Sequence, residues 1–261
     1  GLDTELAVLS RNIAEFKKVG TTVVVSRPEV IEIADSKFLT YQELSRNNIP
    51  VPKTFMLDDY LSNKKDIKFP VVIKPTINGS RSLGVSTLSS PKELDWLISK
   101  KDFKAPDYVI QEMLEGDEYT CGTVNLDNKC WGIITMRRIL RDGDTYKCFT
   151  LVDKAIENLV YKVMGILKPF GACNVQLRMH NGVPTVFEIN ARCSGTTGAR
   201  ALAGFNEPKM IADYLLFGKN PFFKIKMISI LRYWKELLVD NEKISEFKEK
   251  GRIKNEPFLK L

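Results

Sequence analysis

The chain has 261 residues, 39 Lys and Arg against 32 Asp and Glu, a formal charge of +7 and an isoelectric point near 9.0. That length buries a full core as one large or two small domains, while no apolar run reaches the ~18 residues of a membrane span and the first residues carry no signal-peptide pattern, so a cytoplasmic protein without a membrane partner is expected. The basic surplus raises nucleic acid as a partner, but its cations come as scattered pairs (Lys17-Lys18, Lys64-Lys65, Lys100-Lys101, Arg137-Arg138) without interleaved aromatics, so no nucleic-acid groove is expected.

Residues 3–18 read as helical, and Thr22 to Ser26 as a short β-branched strand. Asp35 is the expected N-cap of a helix running to about Asn47, which Pro50-Val51-Pro52 ends. Strands follow near Lys53 to Leu57 and at Pro70 to Lys74, joined by a polar connector from Ser62 to Lys68. A Gly/Ser loop, NGSRSLG, spans Asn78 to Gly84, and Ser90 opens another helix. Further strands are predicted at Tyr108 to Met113, Glu118 to Val124 and Cys130 to Met136, then a helix from Asp153 to Met164 and a hairpin from Asn174. The segment ARALAGFNEPKMIADYLLFG reads as a loop and a helix, and ISILRYW as an apolar strand before a charged tail. This order of elements predicts an α+β fold with antiparallel sheets.

The five cysteines, Cys121, Cys130, Cys148, Cys173 and Cys193, are odd in number and form no C-x-x-C, so neither a zinc site nor a disulfide framework is expected. The single histidine, His180, flanks a turn and reads as a surface residue; one imidazole leaves little room for Ser-His or Cys-His chemistry.

The hairpin NVQLRMHNGVPTVFEINARCSG carries neutral amides around one carboxylate on its polar face. A two-residue Asn181-Gly182 loop would set Gln176 opposite Phe187 and mix polar with apolar. A three-residue loop, Asn181-Gly182-Val183, pairs Val175 with Ile189, Leu177 with Phe187 and Met179 with Thr185, and leaves Asn174 opposite Asn190 and Gln176 opposite Glu188. Gln176, Glu188 and Asn190 then bring oxygen ligands within reach of one hard cation; Mg²⁺ takes so sparse a set when phosphates and waters complete its octahedron. A solvated polar face is the plainer reading of the same pattern. Upstream, Lys74 ends a buried strand where an ammonium needs an anionic partner, and the following loop is rich in backbone N–H groups, so phosphate suits both. The loop lacks the Lys-Ser/Thr of a Walker A motif, and no G-x-G-x-x-G opens a helix.

Taken in order, DSK (35–37), NIPVPKT (48–54), FPVVIKP (69–75), GSRSLGV (79–85), YVIQEMLEGDEYT (108–120), NVQ (174–176) and FEINAR (187–192) resemble the ATP-grasp superfamily, and most of all its carbamoyl-phosphate-synthase large-chain-like branch, over about residues 1 to 235. The resemblance implies two α+β subdomains clasping ATP. Lys37 and Lys74 would contact the phosphates, with the loop through Ser80, Ser82 and Gly84 closing over them. Gln111, Glu112 and Leu114 would form the hinge that reads adenine through its backbone, and Glu118 would hold the ribose hydroxyls. Gln176, Glu188 and Asn190 would hold one or two Mg²⁺, with Mn²⁺ able to substitute. Arg192 would stabilise the transferring phosphoryl group, so that Lys74, Asn190 and Arg192 form the catalytic set. Arg137, Arg138, Arg192 and Arg200 are candidate carboxylate or phosphate clamps; adjacency on a strand points Arg137 and Arg138 to opposite faces, so at most one serves.

The implied activity is that of an ADP-forming ligase: a carboxylate attacks the γ-phosphate and an amine captures the acyl phosphate, both partners being small molecules, with a homodimer conceivable. Phosphoryl transfer asks for positioning and charge and not for a nucleophile, which suits a chain with one histidine. The alternatives are carboxyphosphate or carbamate phosphorylation of the carbamoyl-phosphate-synthase kind, a nucleotide-binding regulator without turnover, and a polyanion binder. The domain reading is residues 1–35 as the closing part of a pre-ATP-grasp α/β domain, 36–110 and 111–218 as the two grasp subdomains, and 219–261 as a C-terminal strand and charged tail. Because the chain opens at Gly1 without Met, an upstream piece, missing or supplied by another chain, is expected to wall the acceptor pocket.

Overall fold

Helix caps set the first part of the chain. The computed structural model describes residues 3–63, 66–77, 83–100, 102–233 and 241–251. Helices α1 (Asp3–Arg11) and α2 (Ile13–Lys18) are followed by α3 (Pro28–Asp35), whose Pro sits in the first turn, where its missing N–H costs nothing. Asp35 therefore ends α3 and is not an N-cap; Ser36 is, its Oγ accepting from Leu39 N–H at 3.2 Å to open α4 (Lys37–Arg46). The strand expected at Thr22 to Ser26 does not form. A strand needs a neighbour for its ladder and none pairs with this one; Val23 and Val25 instead pack among Leu6, Val30 and Ile31, while Ser26 Oγ accepts from Phe170 N–H at 2.9 Å.

The first sheet, in the order β1-β4-β2-β3, takes its strands from β1 (Thr54–Met56), then, after α5 (Leu57–Asn63), from β2 (Val71–Pro75) and β3 (Ser86–Leu88), and, after α6 (Pro91–Ile98), from β4 (Tyr108–Glu112). All its pairings are antiparallel. Leu57, Leu94 and Leu97 of the helices cover Val71, Ile73 and Ile110 on one face.

The second sheet is built from β5 (Glu118–Leu126), β6 (Lys129–Arg141), β7 (Asp144–Leu151), then, past α7 (Lys154–Leu167), from β8 (Gly171–His180) and β9 (Val183–Asn190), and, past α8 (Thr197–Leu202) and α9 (Glu207–Phe217), from β10 (Ser229–Leu231); its order is β10-β7-β6-β5-β8-β9. Asp153 caps α7, accepting from Ala155 and Ile156 N–H. Ile156, Val160, Val163 and Met164 of that helix press on Cys121, Cys173, Val175 and Ile189, each buried apolar side chain stabilising the fold by about 1.5–3 kcal/mol. On the opposite face Met210 and Ile211 of α9, with Phe205, cover Val124, Leu126, Ile134 and Met136. Glu118 lies on the same face of β5, at its first residue, and the cleft described below is found there.

β6 extends past the predicted Met136 and turns back at Asp142-Gly143 into β7, a hairpin that the sequence reading missed. The segment expected as a loop and a helix holds α9 and, before it, most of a second short helix, α8. The chain forms two compact units, residues 1–231 and 232–261; in the second, Asn241–Lys250 of the charged tail form helix α10. Among the described residues no helix is long and apolar enough to cross a membrane.

Candidate nucleotide and cation site

A cleft of about 300 Å³ lies between the two sheets, lined by Lys37, Val72, Lys74, Val85 and Thr87 from the first side, by Gln111 to Leu114 from the crossing, and by Glu118, Arg138, Gln176, Arg178, Phe187 and Glu188 from the second, with Leu140 and Gly143 at its edge. Lys74 sits on β2 with its side chain 6% exposed. Among the described residues no carboxylate or carbonyl bonds its ammonium, whose neighbour is the Phe187 ring at 5.8 Å. Burial lowers its pKa from 10.5 to about 8, with Glu188 opposing that fall and Lys37 adding to it. Lys37, at the start of α4, lines the same wall and donates its backbone N–H to Thr76 O at 3.0 Å.

The opposite wall is a set of cross-strand rungs. Antiparallel register sets Arg138 of β6 and Arg178 of β8 on either side of Glu118 of β5, the next rung sets Gln176 beside Glu188 of β9, and the next sets Asn174 beside Asn190. Arg138 donates Nε and Nη2 to Glu118 Oε1 (2.9 and 2.5 Å), and Arg178 donates Nη2 to Oε2 (2.6 Å). Glu118 is 8% exposed and takes charge-assisted bonds on both oxygens. Arg138 Nη2 also donates to Gln176 Oε1 at 2.5 Å, Gln176 Nε2 donates to Glu188 Oε1 at 3.3 Å, and Asn190 Nδ2 donates to the same oxygen at 3.0 Å. Beyond it Arg192 Nη2 donates to Asn190 Oδ1 at 3.1 Å. Donors and acceptors thus alternate along one chain of groups that converges on Glu188.

The hairpin reaches this arrangement by a route different from the expected one. Its tip is a two-residue turn, with His180 opposite Val183 and both Asn181 and Gly182 at positive φ, and the register shifts between Gln176 and Leu177. The expected pairs Asn174 with Asn190, Val175 with Ile189 and Gln176 with Glu188 form; Leu177 meets Val186, not Phe187, and Met179 meets Pro184, not Thr185. Phe187 is the extra residue of a β-bulge, which lets it and Glu188, consecutive in sequence, both line the cleft.

Gln111 is held by a bond from its Nε2 to Thr54 Oγ1 at 2.7 Å, and Glu112 Oε2 accepts from Lys53 N–H at 3.2 Å. The ladder of β4 ends at Glu112, so Met113 and Leu114 border the cleft outside any strand pairing. The chain is then pinned to the hairpin: Glu115 N–H donates to His180 Nδ1 at 3.1 Å, and Gly116, at φ +92°, lies so close that a Cβ there would meet Met179 O at 2.1 Å. His180 is thereby a fastener of the crossing segment and not merely a turn-flanking residue.

Several predicted residues lie elsewhere. Ser80 and Ser82 fall outside the described residues, and Gly84, beside Pro75, precedes Val85 of the lining without lining the cleft itself. Arg192 stands behind Asn190, its guanidinium clasped by Asp3 of α1 through Nε (2.5 Å) and Nη2 (2.6 Å). Arg200 is no clamp: at 0% exposed it is sealed in the core, paired with Glu207 and donating to Asn174, Ser194 and Thr196. Of the adjacent pair, Arg138 faces the cleft, while Arg137 bonds Asp117 at 3.2 Å and lies over Phe149. Arg178 was not singled out from the sequence; its place opposite Glu118 follows from the register and was legible in the alternation of β8. Burial pushes the Cys121 and Cys173 thiols up to about 12 and Cys130 to about 11, far from thiolate chemistry at neutral pH.

The residues expected to hold a cation have chemistry that fits one. Glu188 has two amides within 3.3 Å of one oxygen, each offering its N–H side where a positive charge would sit, and each carries a carbonyl oxygen that a half-turn brings round. Among the described residues no cluster of three or more His, Cys, Asp or Glu competes as a metal site.

Against known proteins, the family described as ATP-grasp in the biosynthetic pathway with Ter operon matches residues 104–232. The chain has the ATP-grasp fold. It is 26% identical over 249 residues to the carbamoyl phosphate synthase large chain of Pseudothermotoga lettingae, covering 87% of this chain and 22% of that one. Among solved structures it superposes on the L-amino acid ligase of Bacillus licheniformis with a TM-score of 0.63 at 17% identity, over 83% of this chain and 56% of that one. On N5-carboxyaminoimidazole synthase of Aspergillus clavatus, in complex with ADP and its ribonucleotide, the TM-score is 0.62 at 13% identity, over 77% and 57%. The chain thus spans about a fifth of the carbamoyl phosphate synthase relative and just over half of these structures.

Proposed function

We propose that the chain grips ATP with Mg²⁺ in the cleft and drives an ADP-forming ligation, in which a carboxylate takes the γ-phosphoryl group and an amine displaces phosphate from the acyl phosphate. The observation that carries this reading is Lys74: a buried ammonium with no partner among the described residues, aimed into a cleft whose far wall ends in Glu188. A polyphosphate supplies the missing anion, and Lys37 shares the load. Gln176, Glu188 and Asn190 would hold the cation, which supplies charge neutralisation across the phosphates. Backbone groups of Met113 and Leu114, outside the strand ladder, suit the edge of a base, and Phe187 and Val85 give it apolar walls. Glu118 is the candidate for the ribose hydroxyls, with Arg138 and Arg178 fixing its carboxylate.

A substrate carboxylate needs no activating base, since it is ionised at neutral pH, and needs only to be held in line with the γ-phosphate. Loss of negative charge from the attacking oxygen to the transferred group is balanced by Lys74. The named activities of the ligase relatives support ATP-dependent chemistry on small molecules, and a magnesium-dependent cytoplasmic enzyme accords with it. The test is ADP release from a panel of carboxylic acids, with and without amines, beside bicarbonate alone. ADP that appears only with an organic acid and an amine supports the ligase; ADP from bicarbonate alone moves the reading to carboxyphosphate formation. If Mg²⁺ and ADP leave the melting temperature unchanged, the nucleotide reading itself is wrong.

A further inference from the structure

Both amides beside Glu188 face the wrong way for a cation. Gln176 turns its Nε2 to Glu188 and its oxygen to Arg138, and Asn190 turns its Nδ2 to Glu188 and its oxygen to Arg192. The short bond is the one to Arg138, 2.5 Å against 3.3 Å on the Glu188 side, so the guanidinium holds the Gln176 amide more firmly than the carboxylate does. A cation at Glu188 requires the carbonyl oxygen to point toward it. Turning the amide then presents its two N–H donors to the donors of Arg138, an arrangement that cannot persist.

We propose, resting on the nucleotide reading above, that Arg138 is a positioning residue that opposes cation binding through Gln176 until an anion enters the cleft. Arg138 lines that cleft and is 12% exposed at its side chain, so the group that can accept the bond released by Gln176 is a phosphate or a substrate carboxylate. Its second bond, to Glu118 Oε1, keeps the guanidinium in place during the exchange. The device makes cation and anion bind synergistically: each removes a partner that resists the other, with no movement larger than an amide turn and a guanidinium shift.

The test measures Mn²⁺ binding by electron paramagnetic resonance and titration calorimetry, with and without ADP, in the wild type, Arg138→Met and Arg138→Lys. Lys keeps the charge but not the planar fork that spans Glu118 and Gln176. In the absence of nucleotide both variants are expected to bind Mn²⁺ about tenfold more tightly than the wild type, the scale of one charge-assisted hydrogen bond, and to lose most of the enhancement that ADP confers. Tightening in Arg138→Met alone assigns the effect to charge and overturns the proposal, as does unchanged affinity in both. If Arg138→Met does not fold, Arg138→Lys decides: tightening supports the proposal and unchanged affinity overturns it. Failure of the wild type to bind Mn²⁺ and ADP at all counts against the nucleotide reading; binding that the variants leave untouched counts against this inference only.

Discussion

Lys74→Met is expected to make the nucleotide-free protein more stable and the nucleotide-bound protein less so. The displacement of the ammonium from 10.5 to about 8 corresponds to about 3 kcal/mol at neutral pH, taking about 1.4 kcal/mol for each pH unit. The sign follows from proton counts. Between about pH 8 and 10.5 the folded chain holds fewer protons than the unfolded one, so the cost is fully present below pH 8 and is relieved as the pH rises toward 10.5. Methionine fills nearly the same space without the charge, and loses a cation–π contact with Phe187 of about 0.5–2 kcal/mol. The net gain is about 1–3 kcal/mol, a rise of several degrees in Tm. Scanning calorimetry at pH 7 without ligand, then with saturating Mg²⁺ and ADP, reads both halves: the wild type gains about 3 kcal/mol at a hundredfold excess over Kd, and the variant gains far less. A fall in the Tm of the ligand-free variant would refute the reasoning, because it would mean that Lys74 is already satisfied without an anion.

Nucleotide affinity of the wild type should fall as the pH rises through about 8, since only the protonated Lys74 attracts phosphate; affinity that stays flat to pH 9.5 in calorimetric titrations would place the phosphates elsewhere. Glu188→Ala should lower ADP release by at least ~10²-fold, the scale of one lost preorganised charge contact, with little change in melting temperature. Arg200→Met should cost about 3–5 kcal/mol in denaturant unfolding, because Glu207, sealed in the core, is left without its cation. Gly116→Ala should both destabilise the fold and weaken nucleotide binding, as its added methyl drives the crossing segment off Met179 O.

Strand and helix patterning carried the α+β class and most elements, because the apolar alternation of β5 and β8 and the periodicity of α7 leave little choice. The base of the β8–β9 hairpin was legible for the same reason: pairing polar with polar fixes Gln176 opposite Glu188. Its tip was not, because one loop length was carried along the whole ladder, and a bulge changes register midway with no residue that announces it. The β6–β7 turn was legible and missed; Asp142-Gly143 is as strong a hairpin signal as Asn181-Gly182. Arg192 and Arg200 show the limit of motif order: each follows the strand at a suitable spacing, yet Asp3, nearly two hundred positions away, clasps one, and Glu207 the other. A partner as distant as Asp3 leaves no local mark beside Arg192.

The one-residue offset in the β8–β9 hairpin has a consequence for how its two functions of shape and charge are joined. Excising Phe187 would join Val186 directly to Glu188 and let both halves of the ladder run on in a single frame, with every other pairing kept. The aromatic wall against Lys74 is therefore separable in register from the pairing of Gln176 with Glu188: its removal would reshape the floor of the cleft and leave that pairing in frame.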